Sequence, residues 1–446
     1  MHGPSPPDPR ARPDPTPDAP RRRNPWWIPI WLGRAPPLPP AQMSMLGLVV
    51  LGTFFEAYDL SLLTSALKHI SEDLRIDERQ MGSYLAGVRV GGFFAFALLP
   101  FADRVGRRPM FLLSLVGMSV GTLMTALAQT TITFVLLQMV TRAFMLTAAG
   151  VGVVMLAEEL PAEHRGWGLG ILGALAAFGH GLGALLFGLV DLLPFGWRAL
   201  YAIGAVPLFA LPFFRRSLRE TVRFTEHRAQ EGETSPGAGL FGWSEPLLAL
   251  LGAHPGRALA VGAAGFLLAL GAISVFAFSS YFLQTAHGWE PWQYSLLLLT
   301  AGGVGVVGNV AAGNLGDRYG RRAVGFLALA LYPVAAISFY QGPGWLLPAS
   351  FALIVFTSSA ADVVIGAFSA ELFPTSQRGA SSGLLTLVRT VGWIAGLSLV
   401  SGGMGGDLDL PRVISGLALV VAIAAFCVLL LPETGRRELE TLSSES

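Results

Sequence analysis

Apolar residues run almost unbroken through stretches of about twenty, at 45–67, 81–101, 110–129, 133–156, 168–193, 199–214, 258–283, 294–315, 323–341, 345–369, 383–404 and 413–431. A helix needs roughly 20 apolar residues to cross a hydrocarbon layer ~30 Å thick. The pattern therefore predicts an all-α membrane protein with twelve transmembrane helices, six in each half, the sixth and ninth being the shortest. Backbone groups in lipid must be satisfied within the segment, and runs this long without alternating polarity exclude a β-barrel.

Two of the intervening polar stretches are copies of one another. Asp103-Arg104-Val105-Gly106-Arg107-Arg108 returns 214 residues later as Asp317-Arg318-Tyr319-Gly320-Arg321-Arg322. Glu158, Pro161, Arg165 and Gly166 return as Glu371, Pro374, Arg378 and Gly379 at an offset of 213. Two matches at nearly one spacing mark an internal duplication. Each Asp-Arg stretch is expected to be a polar loop between two spans. The duplication divides the chain into a tail (1–43), a six-helix bundle (44–214), a central loop (215–257), a second bundle (258–431) and a C-terminal tail (432–446).

Composition agrees with a polytopic membrane protein: 52% of the 446 residues are hydrophobic, 13% are charged, and mean hydropathy is +0.57. Residues 1–43 hold 14 of the 30 prolines and six arginines, which reads as a disordered basic tail, with Trp26, Trp27 and Trp31 suited to the headgroup layer. Net charge is +1, so the placement of charge matters more than its sum. Of 27 basic residues outside the spans, 22 fall in the tails, the repeated stretches, the central loop and the segments at Arg165 and Arg378, whereas Lys68, Arg75, Arg79, Arg198 and Arg412 fall on the other side. The positive-inside rule then puts both termini and the central loop in the cytoplasm of a cell inner membrane or plasma membrane.

Lys68 is the only lysine and no phosphate-binding loop surrounds it, so ATP hydrolysis is excluded and an ion gradient must drive any pumping. The single cysteine, Cys427, forbids an intrachain disulfide. No metal or cofactor site is expected, since the seven histidines and one cysteine lack ligand spacing. Gly303, Gly305 and Gly308 satisfy a dinucleotide-binding pattern but lie inside an apolar run, and Gly117-Met118-Ser119-Val120-Gly121 imitates a nucleophile elbow in mid-helix; neither has its strand-turn-helix setting. Gly166, Gly170, Gly179 and Gly183 read as close helix contacts. His180, among them, is read first as a packing histidine and second as a pH sensor.

Charge inside a span is costly and is a functional hypothesis by default. Counting ~1.5 Å per residue from the Arg-rich side, Glu56, Asp59, Arg89 and Arg142 lie roughly 17, 21, 18 and 21 Å deep, so two acids and two guanidiniums can meet at mid-depth. Tyr58 sits beside the acids. A carboxylate there is neutralised by a proton or by an arginine, and bound solute can decide which. Permanent ion pairs locking the helices together are the alternative. Asp362 and Arg389 are the remaining buried charges, Asp362 about two turns from the Arg-rich side.

The duplicated Asp-Arg-x-Gly-Arg-Arg stretch resembles the loops after the second and eighth spans of the major facilitator superfamily. The resemblance covers the chain apart from its first 43 residues and part of the central loop. Gly313 matches the glycine that usually stands four residues before the aspartate, and Leu99 departs from it. The resemblance implies two pseudo-symmetric bundles that rock about a central site, a cavity lined by the first, fourth, seventh and tenth spans, and halves that meet along the second and eleventh. It makes Glu56 and Asp59 candidate proton carriers, and Arg142, Arg89, Tyr58, Asp362 and Arg389 candidate substrate contacts, with gating an equal reading for Asp362. Asp103, Arg104, Gly106, Arg107, Arg108, Glu158 and Arg165 become a gating set, with Asp317, Arg318, Gly320, Arg321, Arg322, Glu371 and Arg378 as its second copy. By the same resemblance Asp103 is expected near the start of the eleventh helix and Asp317 near that of the fifth.

Within that superfamily, Phe54-Phe55-Glu56-Ala57-Tyr58-Asp59-Leu60 is similar to the first span of proton symporters for organic and aromatic acids, and two mid-depth arginines suit an anion. Proton-coupled uptake of a small organic anion is the reading this implies, for a monomer whose partners are solute, protons and lipid, without nucleic acid. Pro432-Glu433-Thr434-Gly435-Arg436 resembles a sugar-porter tail, but the seventh span lacks paired glutamines. Drug antiporters usually carry Gly-Pro where this chain has Gly179-His180-Gly181. A non-transporting membrane sensor is the alternative from another class.

Overall fold

The computed structural model describes residues 24, 25, 27, 28, 35–209, 211, 212, 218, 220, 244–374, 377–404 and 409–434. Most of the basic tail, the central loop up to 243 apart from Leu218 and Glu220, and the chain beyond 434 lie outside the described residues, as do Trp26, Trp31 and the side chain of Asp103.

The helices are α1 (Pro40–Ser65), α2 (Leu67–Asp73), α3 (Glu78–Val105), α4 (Arg107–Ala126), α5 (Thr131–Glu159), α6 (Ala162–Phe187), α7 (Trp197–Ile203), α8 (Ser244–Ala253), α9 (Pro255–Ala286), α10 (Pro291–Tyr319), α11 (Arg321–Gln341), α12 (Leu347–Glu371), α13 (Arg378–Gly403) and α14 (Leu410–Leu429). Among the described residues there is no strand, and 11 helices are long and apolar enough to cross a membrane. The sixth predicted run is the shorter apolar stretch Trp197–Phe209. It is interrupted after Ile203 because Pro207 has no N–H to donate; Ala205 and Val206 instead bond three residues back, to Ala202 and Ile203. Among the described residues the N-terminal half thus has five long apolar helices and this shorter one, and the C-terminal half has six long ones.

Two expectations change. The repeated Asp-Arg stretches are not loops: Asp103 and Arg104 end α3, Arg107 and Arg108 begin α4, and Gly106 alone separates them, as Gly320 alone separates α10 from α11. The chain reverses over one residue because Gly106 and Gly320 take φ of +116° and +98°, a region closed to side chains with a Cβ. The central segment is also not wholly irregular, since Ser244–Ala253 forms α8 and buries Leu250 against the C-terminal bundle. Apolar spacing over Pro246–Leu251 was the signal for it.

Close helix contacts are set by glycine. Added side chains at Gly179 and Gly183 of α6 would strike the Phe54 and Tyr58 carbonyls of α1, and one at Gly121 would strike Thr141 of α5. Gly166 and Gly170, from the same stripe, face open space. Gly305 and Gly308 seat α10 on Val355 and Phe356 of α12, which is the packing role expected of them, whereas Gly303 faces open space. Leu99, the departure from the glycine that the resemblance leads one to expect, fills the gap over Gly150 of α5.

The described contacts between the halves run from mid-depth, where Gly92 of α3 meets Thr390 of α13, to the Arg-poor end. The Ser280 hydroxyl of α9 donates to the Ser65 carbonyl of α1 at 2.6 Å, and the Ser83 N–H of α3 donates to Ser401 Oγ of α13 at 2.8 Å. Phe187 of α6 meets Tyr294 of α10 edge to face, and Gly82 lies against the Leu397 carbonyl. At this end Arg198 is anchored by Asp73 at 2.8 Å and by the Ala126 and Ala128 carbonyls.

Candidate functional site

The helix that opens the N-terminal bundle carries both acids, and neighbouring spans bring the cation to them. Glu56 and Asp59 lie three residues apart on α1 and are buried, at 9% and 3% exposure, and Arg142 of α5 is 7% exposed. Arg142 interacts electrostatically with both carboxylates, yet it closes a salt bridge with neither. Asp59 accepts a hydrogen bond from the Thr122 hydroxyl of α4 at 3.3 Å, and the Gln138 side chain of α5 interacts with it electrostatically. Gln138 in turn donates to Thr125 at 3.3 Å. The two acids therefore share the charge of one guanidinium, and among the described residues no salt bridge joins them to it as the alternative of permanent pairs would require. Thr122 and Gln138 were missed by sequence reasoning because neutral polar residues inside spans are common; nothing in the pattern of α4 or α5 singles them out.

Tyr58 departs from expectation. It is fully buried, and its hydroxyl donates to the Leu200 carbonyl of α7 at 2.8 Å. It ties α1 to the broken sixth span, and with its ring fully buried and its hydroxyl engaged it presents no open surface to a solute in this structure.

Arg89 of α3 stands beside Arg142, and its Cζ lies 5.2 Å from the ring centroid of Trp393 on α13, in the other half. Trp393 was not among the expected residues, since an aromatic in a span reads as packing. Asp362 of α12 and Arg389 of α13 pair with each other at 2.8 Å within the C-terminal half, and the Asp362 side chain is nonetheless 56% exposed. His180, in the middle of α6, is exposed and interacts with the Arg142 charge.

At the Arg-rich end the two copies of the repeat build one device twice. Arg107 reaches Glu158 at 3.1 Å, and Arg321 reaches Glu371 at 2.8 Å. The Glu220 carboxylate accepts the backbone N–H of Arg107 at 3.0 Å and of Arg108 at 3.2 Å; the Glu433 carboxylate accepts those of Arg321 at 2.7 Å and Arg322 at 3.1 Å. Each clamps the first free N–H groups of a helix beneath a glycine that leaves it room. The partners of Glu158 and Glu371 were expected in kind, but Glu220 was missed, although Glu220-Thr221 and Glu433-Thr434 repeat at the same offset of 213. Asp317 lies 3.4 Å from Arg321, Arg318 stacks on Tyr319, the Arg322 guanidinium reaches the Leu429 carbonyl, and Arg165 donates to the Leu160 carbonyl at 3.1 Å. Arg104 is exposed, and Arg378 opens α13.

Because a charged acceptor at a helix start contributes roughly 1–2 kcal/mol, Glu433→Ala is expected to lower the midpoint of thermal unfolding of the purified protein by a few degrees. An unchanged midpoint would show that the carboxylate does not hold α11.

The sequence model of the Major Facilitator Superfamily matches residues 49–308 and 261–446. A Bacillus subtilis chain named for niacin and nicotinamide transport is 24% identical over 418 residues, spanning 92% of this chain and 100% of that one. The gallate transporter of Pseudomonas putida is 25% identical over 426 residues, 88% and 92% of the two chains, and the cis,cis-muconate transport protein of Acinetobacter baylyi is 24% identical over 387, 82% and 89%. Among solved structures, a bacterial homologue of the human lysosomal transporter Spinster, inward-facing, superposes with a TM-score of 0.73 at 16% identity, covering 88% of this chain and 97% of that one. The inward-open xylose transporter XylE of E. coli superposes at 0.69 and 17% identity, covering 90% and 99%.

Proposed function

Since the chain belongs to the major facilitator superfamily, and is thus a multi-pass membrane transporter and not an enzyme, we propose that it takes up a small organic anion together with protons. One observation supports the reading: Arg142 is buried, as are Glu56 and Asp59, interacts electrostatically with both, and among the described residues closes a salt bridge with neither. A guanidinium in that position can balance the acids, or turn to a solute carboxylate while a proton takes its place. Glu56 and Asp59 are the proton carriers, Arg142 the switch between them and the solute. The relatives named for gallate, niacin and muconate support an anionic organic solute.

Transport proceeds by rocking of the two bundles about this site. The glutamate clamps and the Arg107–Glu158 and Arg321–Glu371 pairs hold the helix ends that close the cytoplasmic side, where both termini lie, and Asp362–Arg389 holds α12 to α13 as they move. The halves divide near residues 214 and 258, and the monomer is the working unit.

The test is reconstitution into lipid vesicles with an imposed pH gradient. Labelled benzoate, nicotinate or gallate accumulates against its own gradient when the side from which it enters is acid, and a protonophore abolishes the accumulation. Uptake equal with and without the gradient refutes proton coupling. A second reading, a sugar or polyol symporter, draws on Pro432-Glu433-Thr434; uptake of xylose or inositol in the same vesicles, uncontested by carboxylates, would favour it.

A further inference from the structure

We propose that Arg89 and Trp393 together form the subsite that holds the solute's charged group, selecting a carboxylate conjugated to a flat unsaturated framework; this rests on the anion reading above. Among the described residues Arg89 makes no hydrogen bond and no salt bridge, and it is half-buried within α3. The other charges in the spans are already engaged. Glu56 and Asp59 face Arg142, and Asp362 is taken by Arg389, one turn before Trp393 on α13. His180 also faces Arg142. The charged neighbour of Arg89 is Arg142 itself, a cation like it. Arginine does not shed its proton under working conditions. A guanidinium left beside a second one, with no carboxylate of the protein assigned to it, is a place that favours an incoming anion.

The indole determines which anion. Arg89 lies over the Trp393 ring with its Cζ 5.2 Å from the centroid, a contact that draws on the ring's negative face. Its N–H donors point from the edge, and a carboxylate meets them in the guanidinium plane with two parallel hydrogen bonds. A group conjugated to that carboxylate stays in its plane and runs on alongside the indole, where offset stacking is favourable. A carboxylate on a saturated carbon leaves the plane at once and loses that contact. Arg89 belongs to the N-terminal half and Trp393 to the C-terminal half, joined where Gly92 packs on Thr390 and Gly82 on Leu397. A solute bound here touches both bundles.

The experiment is equilibrium binding of labelled benzoate to the full-length protein in lipid nanodiscs, with sorbate, cyclohexanecarboxylate and benzamide as competitors. Benzoate and the planar dienoate sorbate are expected to bind, cyclohexanecarboxylate about 10-fold more weakly, and uncharged benzamide not measurably. Arg89→Gln lowers benzoate affinity about 10-fold or more, with Arg89→Lys between it and the unaltered protein, because lysine keeps the charge and loses the fork. Trp393→Leu brings benzoate down to the level of cyclohexanecarboxylate, and Trp393→Phe keeps the preference. The two conservative variants separate a lost contact from a lost fold. Unchanged benzoate binding in Arg89→Gln, or an intact preference in Trp393→Leu, overturns the subsite and leaves proton-coupled anion uptake standing. Failure of the unaltered protein to bind benzoate, together with failure to accumulate any carboxylate in vesicles, overturns both.

Discussion

Arg142→Gln is expected to abolish pH-driven accumulation, lowering it by about 100-fold or more, while leaving the protein folded in the membrane. The size follows from what the side chain faces. Glu56 and Asp59 are both buried, and Arg142 is the guanidinium turned to each. A 100-fold loss corresponds to about 2.7 kcal/mol, the scale on which a buried charged group loses a charged partner. Glutamine keeps much of the bulk and one donor, so packing against Gly91 of α3 survives. What is lost is the cation that competes with the proton for the acids, and with it the exchange that couples ion to solute. The measurement is labelled solute uptake in vesicles, with and without an acid exterior, compared with downhill exchange of solute for solute. Exchange is expected to persist more strongly than accumulation. Unchanged proton-linked uptake would remove Arg142 from the mechanism, and equal loss of both would make it a solute contact only.

Gly82→Leu is expected to stop net uptake almost completely by a different route. A Cβ at Gly82 would drive into the Leu397 carbonyl across the seam between the halves, and Ser401 lies beside it. Backbone of a packed helix cannot yield to that overlap, so the arrangement closed at the Arg-poor end becomes inaccessible. Each bundle still packs within itself, and the protein is held in the opposite state of its cycle. Ser280 reports this, because it is buried and donates to Ser65 from across the same seam. In a background with Cys427→Ser, a cysteine at position 280 is expected to resist an impermeant maleimide added from outside. With Gly82→Leu added it becomes reactive. Continued resistance together with normal uptake would show that the α3–α13 contact can open or shift without cost.

The helix junctions show how a repeat is read correctly and understood only in part. The duplicated glycine was plain in the sequence, and its meaning is φ: Gly106 and Gly320 turn the chain over a single residue. The carboxylates that clamp those turns come from 113 and 112 residues away. Glu433 lay in a motif that pointed to a family branch, and Glu220 in a segment that looked like linker. Sequence distance hid a contact that symmetry alone could have suggested.

Length of apolar runs, the duplication and the side bearing most arginines were fixed by the chain itself, because they depend on local composition and on the cost of putting charge or an unpaired peptide group in lipid. The same reasoning placed Glu56, Asp59, Arg89 and Arg142 at one depth, since helical rise is constant. Which of them face one another was settled only by packing. Arg142 turned to both acids, Asp59 reached Thr122 and Gln138, Arg389 took Asp362, and Arg89 was left on Trp393 of the opposite half. Tyr58, one residue from Asp59, went to the Leu200 carbonyl instead. Depth is a property of one helix, but partnership depends on the rotation of each helix about its axis and on which glycines let neighbours approach, and these emerge only when all the spans pack at once.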